Sequence, residues 1–113
     1  MKNTERKDLF PGALEMMVLQ TLSGQPLHGY ALVQHIQRNS NDLLQVEEGS
    51  LYPALQRMLK SGLVKADWGV SSTGRRVRIY EISEAGAKHL AQEVRSFERM
   101  LEGIRLVLSP VKP

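Results

Sequence analysis

Three helical segments, two β-prone runs around a polar loop, and one long helix with a heptad seam follow one another in 113 residues. That order predicts a mainly α fold with a β-hairpin wing, a winged helix-turn-helix plus a long C-terminal dimerisation helix. In such a plan the third helix is the recognition helix and the hairpin flanks it as the wing. The expected division is a flexible N-terminal arm at 1–10, a winged-helix domain at 11–83, the dimerisation helix at 84–108 and a tail at 109–113.

The arm, MKNTERKDLF, is polar and charged, and Pro11 and Gly12 end it. From Ala13 to Leu22, the residues Leu14, Met16, Met17, Val18, Leu19 and Leu22 leave little polar face, so this helix belongs in the core. Ser23-Gly24-Gln25-Pro26 reads as a turn. A second helix is expected from about His28 to Arg38, with Leu32, Val33 and Ile36 inward and His28 near its cap. Asn39-Ser40-Asn41-Asp42 stops it.

The third helix lies in EEGSLYPALQRMLKSG, residues 47–62. At about 100° per residue, Leu51, Ala54, Leu55, Met58 and Leu59 share one face. Ser50, Pro53, Gln56, Arg57 and Lys60 share the other, with Tyr52 on the border. Small residues at the start permit close approach to base edges, and Gln and Arg pair with adenine and guanine. Pro53 is cheap if it lies in the first turn, where no amide donor is needed. Gly49 and Ser50 are then expected at the helix start and cap, and Gly62 at the C-terminal stop. Ser50, Gln56 and Arg57 are the expected base readers.

LVKADW (63–68) and RRVRIYEI (75–82) are β-prone runs around the loop GVSSTG (69–74), which is a hairpin pattern. Arg75, Arg76 and Arg78 come without an interleaved acid, and Ser71, Ser72 and Thr73 offer hydroxyls for phosphates. Lys60 and the three arginines are the expected phosphate clamp. Trp68 alternates with Val64 and Ala66 and is expected to pack on the sheet. Each segment has a plainer reading: an amphipathic surface helix, and a charged hairpin edge that resists aggregation.

The motifs PLHGYAL (26–32), EEGSLYPALQRM (47–58), SGLVKADW (61–68), TGRRVRIYEIS (73–83) and EAG (84–86), in this order, resemble the PadR family of bacterial transcriptional regulators. The resemblance spans about residues 11–108, and the short C-terminal part looks like the small subfamily with one C-terminal helix. It implies a winged-helix dimer that binds inverted-repeat operators in double-stranded DNA, usually as a repressor. It also implies that Tyr30, Ser50, Tyr52, Pro53 and the wing arginines contact or position DNA. Some members release DNA on binding phenolic acids or hydrophobic drugs, which makes a small hydrophobic effector a further implication.

Ser83 is the expected N-cap of the last helix, with Glu84 favourably placed in its first turn. Ala87, Leu90, Val94, Phe97, Leu101, Ile104 and Leu108 step by alternate threes and fours, a heptad seam. Some 25 residues make a helix about 37 Å long, more than a small winged domain covers. Part of the seam, Leu90, Val94, Phe97, Leu101, Ile104 and Leu108, is therefore expected to form a homodimer. Phe97 and Met100 are the residues best placed to line an effector cavity.

The net charge is +3 and the pI about 9.5, a mild bias that matters only where the basic residues cluster. There is no cysteine, which excludes disulfides and thiolate chemistry. His28, His35 and His89 lack metal-ligand spacing, and no nucleophile–base pair, carboxylate pair or glycine-rich phosphate loop is present. Neither an enzyme, a metal nor a cofactor is expected. No apolar run reaches membrane-spanning length and no signal-peptide pattern opens the chain, so a cytoplasmic protein is expected. Two rivals remain from other classes: a dimeric protein-interaction adaptor that has lost DNA binding, and a carrier of aromatic ligands.

Overall fold

The computed structural model describes residues 12–111; the arm expected at 1–10 lies outside them. Among the described residues there are four helices and three strands. They are α1 (Ala13–Leu22), β1 (Leu27–His28), α2 (Gly29–Asn39), α3 (Glu48–Lys60), β2 (Val64–Val70), β3 (Arg76–Ile82) and α4 (Glu84–Leu108). The expected winged helix with a long last helix is what the chain forms.

The apolar helix α1 lies at the centre, touching α2, α3, α4 and β3. Its Val18, Leu19 and Leu22 meet Leu32 and Ile36 of α2 and Leu51, Ala54, Leu55 and Met58 of α3 in one core. Val46, Val64, Tyr80 and Leu90 complete it. The faces assigned to α3 from its periodicity therefore hold: Leu51, Ala54, Leu55 and Met58 are buried and Leu59 is half-buried against them, while Ser50, Pro53, Gln56, Arg57 and Lys60 are exposed.

Two helices end in the same way. Gly62 has φ 76°, and the Leu63 and Gly62 amides donate back to the Met58 and Leu59 carbonyls at 2.9 and 3.1 Å. This is a Schellman stop with glycine in the left-handed position. Asn41, φ 55°, does the same for α2, with the Asp42 and Asn41 amides bonded to the Gln37 and Arg38 carbonyls.

The sheet departs from the expected two-stranded hairpin. It is three-stranded and antiparallel, in the order β1-β3-β2. Leu27 pairs with Tyr80 and His28 with Ile79. A two-residue strand carries no periodicity, so PLH read as turn and helix start. His28 ends that strand and also caps α2: the Ala31 amide donates to its Nδ1 at 3.3 Å.

Ser83 ties α4 to the end of α3. Its Oγ accepts from the Gly86 amide at 3.0 Å, as an N-cap does, and donates to the Gly62 carbonyl at 2.6 Å. From this anchor α4 runs out along α1. Leu90 is buried and Val94 packs on the core, but Ile104 and Leu108 are 41% and 76% exposed.

Candidate nucleic-acid interface

The recognition helix starts earlier than its glycine and serine suggest. Its N-cap is Glu47, whose carbonyl accepts from the Ser50 and Leu51 amides at 3.0 Å each. Pro53 is consequently in the second turn, not the first, and the helix forgoes one internal hydrogen bond there. Pro53 is exposed, so the backbone beside it is open to water.

Arg57 is also more committed than expected. Its Nε and Nη2 donate to Glu15 Oε2 of α1 at 3.3 and 3.2 Å. With the arginine side chain 62% exposed, such a pair is worth roughly 0–1 kcal/mol, so a stronger acceptor can draw it away.

Between the N-terminal ends of α2 and α3 and the wing lies a cleft of about 890 Å³. β1 contributes His28 and the helices Tyr30, Gln34, Glu48 and Tyr52; the wing contributes Trp68, Ser71, Ser72, Thr73, Arg75, Arg76 and Arg78. Eight of the residues expected from sequence to contact or position DNA meet here: Tyr30, Tyr52, Ser71, Ser72, Thr73, Arg75, Arg76 and Arg78. Ser50, Gln56, Arg57 and Lys60 do not line the cleft; they lie along the exposed face of α3. Gln34, an exposed amide on α2, also lines the cleft, and nothing in its own helix marks it in the sequence.

Tyr52 sets the floor of the cleft. Its ring lies so close to Gly29 that a Cβ there would fall 2.5 Å from the hydroxyl oxygen. The glycine of HGY and the tyrosine of SLYP thus form one contact between α2 and α3. Burial, followed by the Glu48 carboxylate and Tyr80, pushes the Tyr52 hydroxyl above its usual range. It stays protonated at neutral pH and keeps a donor for a phosphate oxygen.

The wing tip is held by its own hydroxyls. The Ser71 amide donates to the Arg75 carbonyl at 2.8 Å and the Gly74 amide to the Ser71 carbonyl at 2.9 Å. Ser71 Oγ accepts from the Arg75 amide at 3.2 Å and lies 3.0 Å from Thr73 Oγ1. Ser72 has no such tie and is exposed.

Trp68 does not pack into the sheet. It is 54% exposed, with the Arg76 and Arg78 guanidinium carbons 4.2 and 5.4 Å from its ring centroid. The alternation with Val64 and Ala66 does put Trp68 on their face of the strand, but burial falls away along β2 and its outer half stays exposed. Among the described residues no cluster of acidic or histidine side chains could hold a metal, and no helix is long and apolar enough to cross a membrane.

Comparison with known proteins agrees with this geometry. Residues 18–92 match the model of the transcriptional regulator PadR-like family. Over 88 residues the chain is 30% identical to a transcriptional regulator of Mycobacterium tuberculosis, covering 78% of each protein. The fold matches a transcriptional regulator from Clostridium thermocellum at a TM-score of 0.80 and 25% identity, over 88% of this chain and 93% of the other. It matches a PadR-like regulator from Bacillus cereus at 0.75 and 28% identity, over 89% and 96%. With two-thirds of its length matched and the wing, recognition helix and long last helix in place, the chain belongs to the PadR-like family of transcriptional regulators.

Proposed function

We propose that the protein acts as a homodimeric repressor of nearby genes, holding a near-palindromic operator through α3 and the wing. The cleft carries this reading. It brings three wing arginines, a tyrosine donor and the first turns of two helices around one space, the chemistry that grips a phosphate backbone. The exposed Ser50, Gln56 and Arg57 of α3 then supply base readout, and Lys60 a further phosphate contact.

Dimerisation through α4 is supported by the outer end of its seam, where Ile104 and Leu108 stay exposed on the single chain. A twofold pair would set two α3 helices about 34 Å apart, one DNA turn. Phe97 and Met100 would face the space between the paired helices, where a small aromatic or hydrophobic effector could bind and change their spacing.

Fluorescence anisotropy with the gene's own upstream DNA, against a scrambled duplex at two salt concentrations, tests the proposal. Preference for the upstream fragment, weakening with salt, is the expected result. Binding to neither duplex would favour the adaptor instead. Arg75→Ala is expected to weaken binding to both duplexes and to lower the salt slope by about one. An unaltered slope would remove Arg75 from the phosphate clamp. Arg57→Ala is expected to cost about 1–3 kcal/mol on the operator and far less on scrambled DNA, as loss of a base contact does. Equal losses would make Arg57 a backbone contact.

A further inference from the structure

Trp68 is the chain's single tryptophan, and the fold leaves half of it in solvent. It stands opposite Arg78 on the β2–β3 ladder, and Arg76 is the next residue on the same face. That face changes character along its length. The pairs Val64–Ile82 and Ala66–Tyr80 sit over the core, and Trp68–Arg78 and Val70–Arg76 continue it past the edge of the helices. All three side chains of the Trp68 group line the cleft. Both guanidinium groups lie within the roughly 6 Å reach of cation–π attraction to the indole. Among the described residues neither arginine is paired with a carboxylate, so the ring is their main holding contact.

We infer that Trp68 is a positioning residue for DNA binding: its ring holds Arg76 and Arg78 in the cleft with their N–H edges free for phosphate oxygens. The inference rests on the DNA-binding reading above. A guanidinium offers two distinct surfaces. Its flat face attracts a π system, while its five N–H donors point outward in the plane. Stacking therefore occupies the face and leaves the donors. A free arginine must surrender the freedom of a long side chain when it meets a phosphate; one already lying on a ring surrenders less. An acidic partner would also order the arginine, but it would compete with the phosphate for the same donors. An indole orders it without that competition.

The test uses the full chain and a mixed-sequence duplex, with wild type, Trp68→Phe, Trp68→Leu, the pair Arg76→Ala/Arg78→Ala, and that pair combined with Trp68→Leu. Trp68→Leu is expected to bind about three- to tenfold more weakly, with Trp68→Phe in between. Its melting temperature should stay near wild type, since the ring is outside the core. In the background lacking both arginines, Trp68→Leu should cost nothing further. Trp68 emission from the free protein should also change when both arginines are removed, a readout that needs no DNA. Wild-type affinity in Trp68→Leu, an undiminished loss in the arginine-free background, or unchanged emission would each overturn the inference while leaving DNA binding intact. Failure of the wild-type protein to bind any duplex would overturn both readings together.

Discussion

Ile104→Glu is expected to leave each chain folded, convert the proposed dimer to a monomer, and cut operator affinity by about a hundredfold or more. Ile104 is already 41% exposed on the single chain, and glutamate is a good helix former, so α4 itself has little to lose. In a paired seam the same carboxylate would be stripped of water against the apolar side chains of a neighbouring helix. The affinity loss follows from tethering. In the proposed dimer the second half-site would be bound intramolecularly, and uncoupling two binding modules forfeits a factor of about 10²–10⁴. Sedimentation equilibrium and operator titration check the two halves separately. A variant that still sediments as a dimer would remove the α4 seam from the interface. The exposed Leu106, Val107 and Leu108 near the end of α4 make an unpartnered helix there a poor state for a chain in water.

Gly86→Ala is expected to lower stability by about 1–3 kcal/mol, although alanine is normally the better helix former by about 1 kcal/mol. The sign reverses because α4 starts in contact with the chain just past α3. A Cβ on Gly86 would overlap the Leu63 carbonyl oxygen and lie 2.9 Å from Ile82 Cγ1. The carbonyl cannot easily step aside: it accepts from the Ser83 amide at 3.0 Å, and the Leu63 amide is itself held by Met58. For a domain of this size each lost kcal/mol lowers the melting temperature by roughly 4–8 °C, well within reach of a thermal melt. A melting temperature at or above wild type would show that the α3–α4 junction can shift to accept a methyl group.

Both substitutions act on features that the sequence displays unequally. The seam behind Ile104 is a repeat, visible in any window long enough to hold three heptads. The α3 faces were equally legible, because a helix on a core sorts its residues by period alone. Gly86 is different. Its neighbour Leu63 is far along the chain, and a glycine two residues into a helix looks like a weak helix former until its backbone partner is known. Gly29 and Tyr52 belong to the same class, two residues whose meaning is a single contact between α2 and α3.

The order of the helices and the wing hairpin, the buried face of α3, the Ser83 cap and the Gly62 stop were determined by the sequence itself, because each depends on residues within a few positions of one another. The three-stranded sheet, the Arg57–Glu15 pair and the cleft between wing and helices were decided by tertiary structure, since each joins residues that only folding brings together. Trp68 shows where the division falls. Period-two alternation assigns it to the inward face of its strand, and that assignment is right. Whether an inward face is covered depends on how far the helices beneath it extend, and here they stop short, leaving the indole to two arginines and the open cleft.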